Sequence, residues 1–242
     1  SDLQKLDRLE VASEPERVAP LGDGFVVTLR GERALAKVRV SGNKLIMAGT
    51  VATGAEPVGL VTDEQGQRVF VAASQSGVVE ERDGNTLEVK RSFRIDHEPR
   101  WLALHPSGQT LYVATAMGGH LVIVDLVSGR VQEHQLPTVS TFTEERGNRV
   151  PRAKRITGDM AVRTNGKELL IPVLYIDNIN PIDADPDEEE ACEPDHDGCG
   201  GSDGYGSSSS GKRFIGTVTT VNVDKTGKPT GEGRVQELEI QS

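Results

Sequence analysis

Glu98-Pro99-Arg100-Trp101-Leu102-Ala103-Leu104-His105-Pro106-Ser107-Gly108-Gln109-Thr110-Leu111-Tyr112-Val113-Ala114-Thr115 is the stretch that decides the fold. An apolar run leads into Pro106-Ser107-Gly108, where glycine supplies the positive φ that a tight turn needs. A second run follows with strand-forming residues, Thr110-Leu111-Tyr112-Val113. The same order stands earlier in the chain. Glu56-Pro57-Val58-Gly59-Leu60-Val61 precedes Asp63-Glu64-Gln65-Gly66-Gln67-Arg68-Val69-Phe70-Val71-Ala72. From Gly66 to Gly108 is 42 residues, and from Glu56 to Glu98 is again 42.

Each unit reads as four short strands. After the two runs above come His120-Leu121-Val122-Ile123-Val124-Asp125, a turn at Ser128-Gly129, and Arg130-Val131-Gln132-Glu133. A period of 42 with four strands per unit matches a β-propeller blade. A weaker first copy begins at Asp23-Gly24-Phe25-Val26-Val27, with Gly24 placed 42 residues before Gly66. A fourth copy is marked by Asn165-Gly166-Lys167-Glu168-Leu169-Leu170-Ile171-Pro172. Gly166 follows Gly108 by 58 residues, so an extra segment, roughly 137 to 154, is expected between them. It brings Arg146, Arg149, Arg152, Lys154 and Arg155.

The expected fold class is all-β, with about four blades of four antiparallel strands. The expected units are about 17–54, 55–96, 97–136 and 155–242. Residues 1–16, with Leu3, Leu6 and Leu9 among charges, read as an N-terminal arm or cap. Propellers carry about four to eight blades. An open four-bladed segment exposes two sheet faces, which further blades or a protein partner must cover. The expectation is a segment of a larger propeller.

The units resemble the YVTN-type repeats of bacterial β-propellers. Leu111-Tyr112-Val113-Ala114-Thr115 stands at the motif position, and His105-Pro106-Ser107-Gly108 stands where that family has Ser-Pro-Asp-Gly. The resemblance implies a ring of seven blades. The long polar insertion also resembles the propeller part of bacterial fusions with di-haem cytochrome c peroxidase domains. The sequence holds no Cys-x-x-Cys-His, so no residue here inherits a haem role.

The chain has 242 residues and a net charge of −10. The acidity is local. Ten carboxylates and no base lie between 183 and 203, and the remaining acids and bases balance. Nucleic-acid binding is not expected, because phosphate contacts need excess Lys and Arg. No run of 18 or more apolar residues marks a membrane span.

The acidic tract sits in an insertion, 177–212, between the second and third strands of the fourth unit. A loop this long is functional or disordered. One reading is a calcium loop, with oxygen ligands from Asp183, Asp185, Asp187, Asp195, Asp197 and Asp203. The EF-hand pattern fails, because Glu188 and Pro194 stand where Gly and Glu are required. The other reading is a solvated loop extended by charge repulsion. Cys192 and Cys199 read as a disulfide, which places the chain in an extracytoplasmic, oxidising compartment. Free thiols, or a metal site with His196, are the alternatives.

No nucleophile elbow, P-loop or dinucleotide fingerprint occurs. His97, His105, His120 and His134 fall near strand ends and read as structural. Two functions follow. The first is a non-catalytic propeller module, an interaction or scaffold part of a larger extracytoplasmic protein. The alternative is the propeller portion of an oxidoreductase whose haem domain lies outside this chain.

Overall fold

The computed structural model describes residues 7–143, 148–176 and 214–238. Nineteen strands occur among them and no helix. The first sheet holds β1 (Pro15–Leu21), β2 (Gly24–Leu29), β3 (Ala34–Ser41) and β4 (Lys44–Ala52) in that order. The second holds β5 (Pro57–Thr62), β6 (Arg68–Ala73), β7 (Val78–Asp83) and β8 (Val89–Arg94). The third holds β9 (Pro99–Leu104), β10 (Thr110–Thr115), β11 (Leu121–Asp125) and β12 (Val131–His134). All pairings within these sheets are antiparallel.

The extra segment before the fourth unit is a hairpin of β13 (Ser140–Thr143) and β14 (Asn148–Pro151). The fourth sheet follows with β15 (Ala153–Ile156), β16 (Ala161–Val162), β17 (Glu168–Ile176), β18 (Phe214–Asn222) and β19 (Arg234–Glu237). Both β15 and β16 pair with β17, and between them Thr157 N–H donates to the Pro172 carbonyl at 3.1 Å. The innermost strand of this sheet is therefore split in two.

The first strands β1, β5 and β9 stand side by side, and β16 adjoins β9. The last strands β4, β8, β12 and β19 are mostly exposed and form the outer edge. First strand inside, last strand outside and sheets stacked face to face define four blades of a β-propeller.

Period-2 alternation gives each sheet two apolar faces. Ala19, Leu21, Val26 and Leu35 of the first sheet pack on Val69, Val71 and Leu87 of the second. Phe70, Ala72, Val79 and Phe93 pack on Leu111, Val113, Val122 and Val124 of the third. Ala103, Tyr112, Ala114 and Leu121 pack on Leu169, Ile171, Val173 and Tyr175 of the fourth. Each fully buried side chain of this size contributes roughly 1.5–3 kcal/mol through loss of water contact.

Polar ties lock the register between blades. Tyr112 Oη donates to the Gly227 carbonyl at 2.6 Å, and Tyr175 Oη donates to Pro137 O at 2.8 Å. Arg68 Nη2 donates to Gly108 O at 2.9 Å. His105, 3% exposed, does the equivalent one blade later, with Nε2 at 2.8 Å from Gly166 O. The Ser107 N–H donates to His105 Nδ1, so Nε2 carries the proton. Between the first two blades, buried Arg82 grips Glu80 through Nε at 2.9 Å and Nη2 at 2.6 Å. It also donates to Leu87 O and Ala52 O.

The turn glycine of the first blade is Gly22, not Gly24. Gly22 (φ 59), Gly66 (φ 65), Gly108 (φ 66) and Gly166 (φ 66) share one left-handed conformation. The first blade is shorter between its strands, so Gly22 precedes Gly66 by 44 residues and the 42-residue spacing lands two positions late. β1 also starts at Pro15, two residues before the expected unit boundary.

Candidate functional site

The strand directions create two rims. The upper rim gathers the starts of the first strands and the connections from second to third strands. The chain's two insertions both leave from this rim. The β13–β14 hairpin joins β12 to β15, and residues 177–213 join β17 to β18. Loops on a rigid scaffold are where binding residues concentrate, so the upper rim is the candidate site.

Three glutamates open the first strands: Glu14, Glu56 and Glu98, with φ of 55, 59 and 58. Each precedes a proline, Pro15, Pro57 and Pro99. Each carbonyl accepts a backbone N–H at 2.9 Å, from Arg30, Ser74 and Ala116 respectively. A left-handed conformation at a non-glycine residue costs about 1–2 kcal/mol, and the fold repeats it three times. Glu14-Pro15 lies 42 residues before Glu56-Pro57. Sequence reasoning used only the later two, although the same spacing identified the first.

Two of these carboxylates, Glu14 and Glu56, alternate with the guanidinium groups of Arg30 and Arg100 around the inner rim. Arg30 Nε donates to Glu14 Oε2 at 3.1 Å, and Arg30 Nη1 stands 3.9 Å from Glu56 Oε1. Arg100 Nη2 lies 4.0 Å from the same oxygen. The hydrogen bond from Arg30 to Glu14 raises the guanidinium's pKa. A recess of about 380 Å³ lies here, lined by Glu14, Arg30, Gly31, Arg33, Glu56 and Gln75. Arg100 also sits over Trp101, 5.9 Å from the ring centroid, and its buried Nε has no hydrogen-bond partner among the described residues. Trp101 itself is half-buried against the core between the third and fourth sheets.

Further round the rim, the rings of His97 and His120 stack at 4.6 Å with 16° between planes. His120 Nδ1 lies 2.7 Å from Glu133 Oε1, and this bond holds the Glu133 carboxyl below its ordinary pKa. Arg17 of β1 reaches Asp159, between β15 and β16, at 2.6 Å. No core cluster of the described residues joins the first sheet to the fourth.

The sequence pointed to other residues. Asp183, Asp185, Asp187, Asp195, Asp197, Asp203, Cys192, Cys199 and His196 all lie outside the described residues. Among the described residues, no group of three or more His, Cys, Asp or Glu is placed to hold a metal ion. Nor is any described helix long and apolar enough to cross a membrane. The upper-rim arrangement therefore offers paired charges, amide-type hydrogen bonding and one aromatic face, the chemistry of polar recognition.

No family model matches the chain, and no curated protein matches it in sequence. Solved structures do match in fold. Hydrazine synthase of Kuenenia stuttgartiensis aligns with a TM-score of 0.51 at 14% identity, over 93% of this chain and 65% of that one. The β-propeller domain of Myceliophteria thermophila Cps50 (Swd1) aligns with a TM-score of 0.47 at 13% identity, over 73% of this chain and 69% of that one. The chain thus spans less than two thirds of the hydrazine synthase chain it matches. At these identities the similarity concerns fold alone.

Proposed function

We propose that this chain is a non-catalytic segment of a larger propeller, completed by further blades, and that its upper rim presents a surface to a protein partner. One observation carries the proposal. Val69, Leu111 and Leu169 occupy equivalent positions facing the preceding blade, and each is 0% exposed. The equivalent residue of the first sheet is Phe25, 38% exposed, and Val18, 66% exposed, lies on the same face. In the opposite direction Phe70 and Tyr112 are fully buried against the next blade, whereas the equivalent Leu170 is only half-buried. Pro172 and Leu174 extend that face, with Val218 directly beside Pro172. Blade-facing residues without a blade are the signature of unfilled ends in a repeat array.

Light scattering tests this. The isolated chain should associate at rising concentration, and Phe25→Ser with Leu174→Ser should return it towards its monomer mass of 26.0 kDa. A monomer at every concentration would overturn it.

The same proposal includes an oxidised Cys192–Cys199 pair and a calcium-holding acidic insertion in an extracytoplasmic protein. It rests on the residue types alone. Intact mass should be lower by the two hydrogens of a disulfide, and EDTA should lower the melting temperature until Ca²⁺ is restored. A reduced mass with a melt indifferent to EDTA would remove this part.

A further inference from the structure

The lower rim, opposite the strand ends from which both insertions leave, holds a groove of about 730 Å³ between the third and fourth sheets. Its lining is Pro106, Ser107 and His105 from one blade and Thr164 to Lys167, Asn222, Val223 and Lys225 from the next. Two lysines line it and no carboxylate does.

The lysines themselves set this groove apart. The described residues include seven: Lys37, Lys44, Lys90, Lys154, Lys167, Lys225 and Lys228. Lys44, Lys90 and Lys228 pair with Asp7, Asp83 and Asp125. Lys37 donates to Gly84 O and Asn85 O, and Lys154 donates to Leu136 O. Lys167 and Lys225 alone have no side-chain partner among the described residues, and both line this one groove. The backbone holds them together, because Val223 N–H donates to Lys167 O at 2.9 Å.

The floor is firm. The His105 ring is fixed between Ser107 and Gly166 O, and Ser107 Oγ lies 3.1 Å from Thr226 O. Around the cations stand neutral hydrogen-bonding groups, Thr164, Asn165 and Asn222, and apolar surface from Pro106 and Val223. A cavity with an apolar wall and a few convergent polar groups is the usual form of a small-molecule site. Two ammonium groups select its charge.

We propose that this groove binds a small organic anion carrying carboxylate or phosphate groups, held by Lys167 and Lys225 with its body against Pro106 and Val223. The test is calorimetric titration of the whole chain at low ionic strength with succinate, glycerol phosphate and neutral succinamide. At least one anion should saturate, succinamide should not, and added salt should weaken the binding. Lys167→Gln with Lys225→Gln should weaken it at least about tenfold. Lys228→Gln, whose lysine is already paired, should leave it unchanged. Binding of succinate only identifies a carboxylate site, and binding of glycerol phosphate only identifies a phosphate site. The proposal is overturned if neither anion saturates, or if the double variant, with an unchanged melt, binds as the parent does.

Discussion

The middle interfaces and the end faces of this protein use the same register positions and bury them differently. Leu111 and Val113 of the third sheet are fully buried against the second sheet. Phe25, 38% exposed, and Val27, half-buried, stand at the equivalent places in the first sheet, and no core cluster of the described residues includes them. The side chains are apolar in both regions. What differs among the described residues is the packing neighbour, and an open-ended array of blades would leave its end faces in this condition.

Substitutions at equivalent positions break or sharpen this comparison. Tyr112→Ala removes a fully buried ring and its bond to Gly227, and should cost about 3–5 kcal/mol in denaturant unfolding. Leu170→Ala, at the same position of the fourth sheet, should cost less than about 1.5 kcal/mol. Equal costs would mean that the fourth sheet is covered after all.

The next effect concerns the charged tie between the first two blades. Arg82→Leu strands Glu80 in the interior and should cost about 3 kcal/mol, whereas Glu80→Leu with Arg82→Leu should recover most of that loss. A double variant as unstable as the single one would show that the arginine's bonds to Leu87 O and Ala52 O carry the tie.

Two pH effects follow from groups at the third–fourth blade junction. Burial lowers the pKa of His134, against the opposing pull of Glu232 and the Gly231 backbone. The folded state therefore favours the neutral ring. Its contribution is present above the ordinary value of 6.5 and is lost as pH falls below it. His134→Gln should flatten that part of the stability curve. Burial, with Asp224 nearby, raises the Tyr112 phenol. That contribution holds below the ordinary value of 10.0 and is lost as pH rises beyond it. Tyr112→Phe should remove the alkaline loss.

The smallest stability effect belongs to the end face. Phe25→Ser should change unfolding free energy by within about 0.5 kcal/mol while reducing self-association. A large destabilisation would place Phe25 in a real core.

Much of the architecture was legible because a propeller repeats. Gly66, Gly108 and Gly166 marked three turns, and alternation such as Thr110-Leu111-Tyr112-Val113 marked strands with two buried faces. The first blade misled at Gly24, since its own Asp23-Gly24 imitates the turn that Gly22 makes. The site was less legible. The left-handed glutamates use a residue type that periodicity does not flag, and only the repeat of Glu-Pro exposes them. Arg30 and Arg100 meet Glu56 from different blades, as do Lys167 and His105 in the lower groove. Such meetings depend on blade stacking, which one sequence does not encode locally.

Backbone hydrogen exchange at low protein concentration tests the open-ended segment most directly. If the ends lack neighbours, amides of β6, β7, β10 and β11 should be the most protected, and those of β2, β3 and β18 should exchange markedly faster. Equal protection across all four sheets would mean a closed, complete ring and would contradict the account.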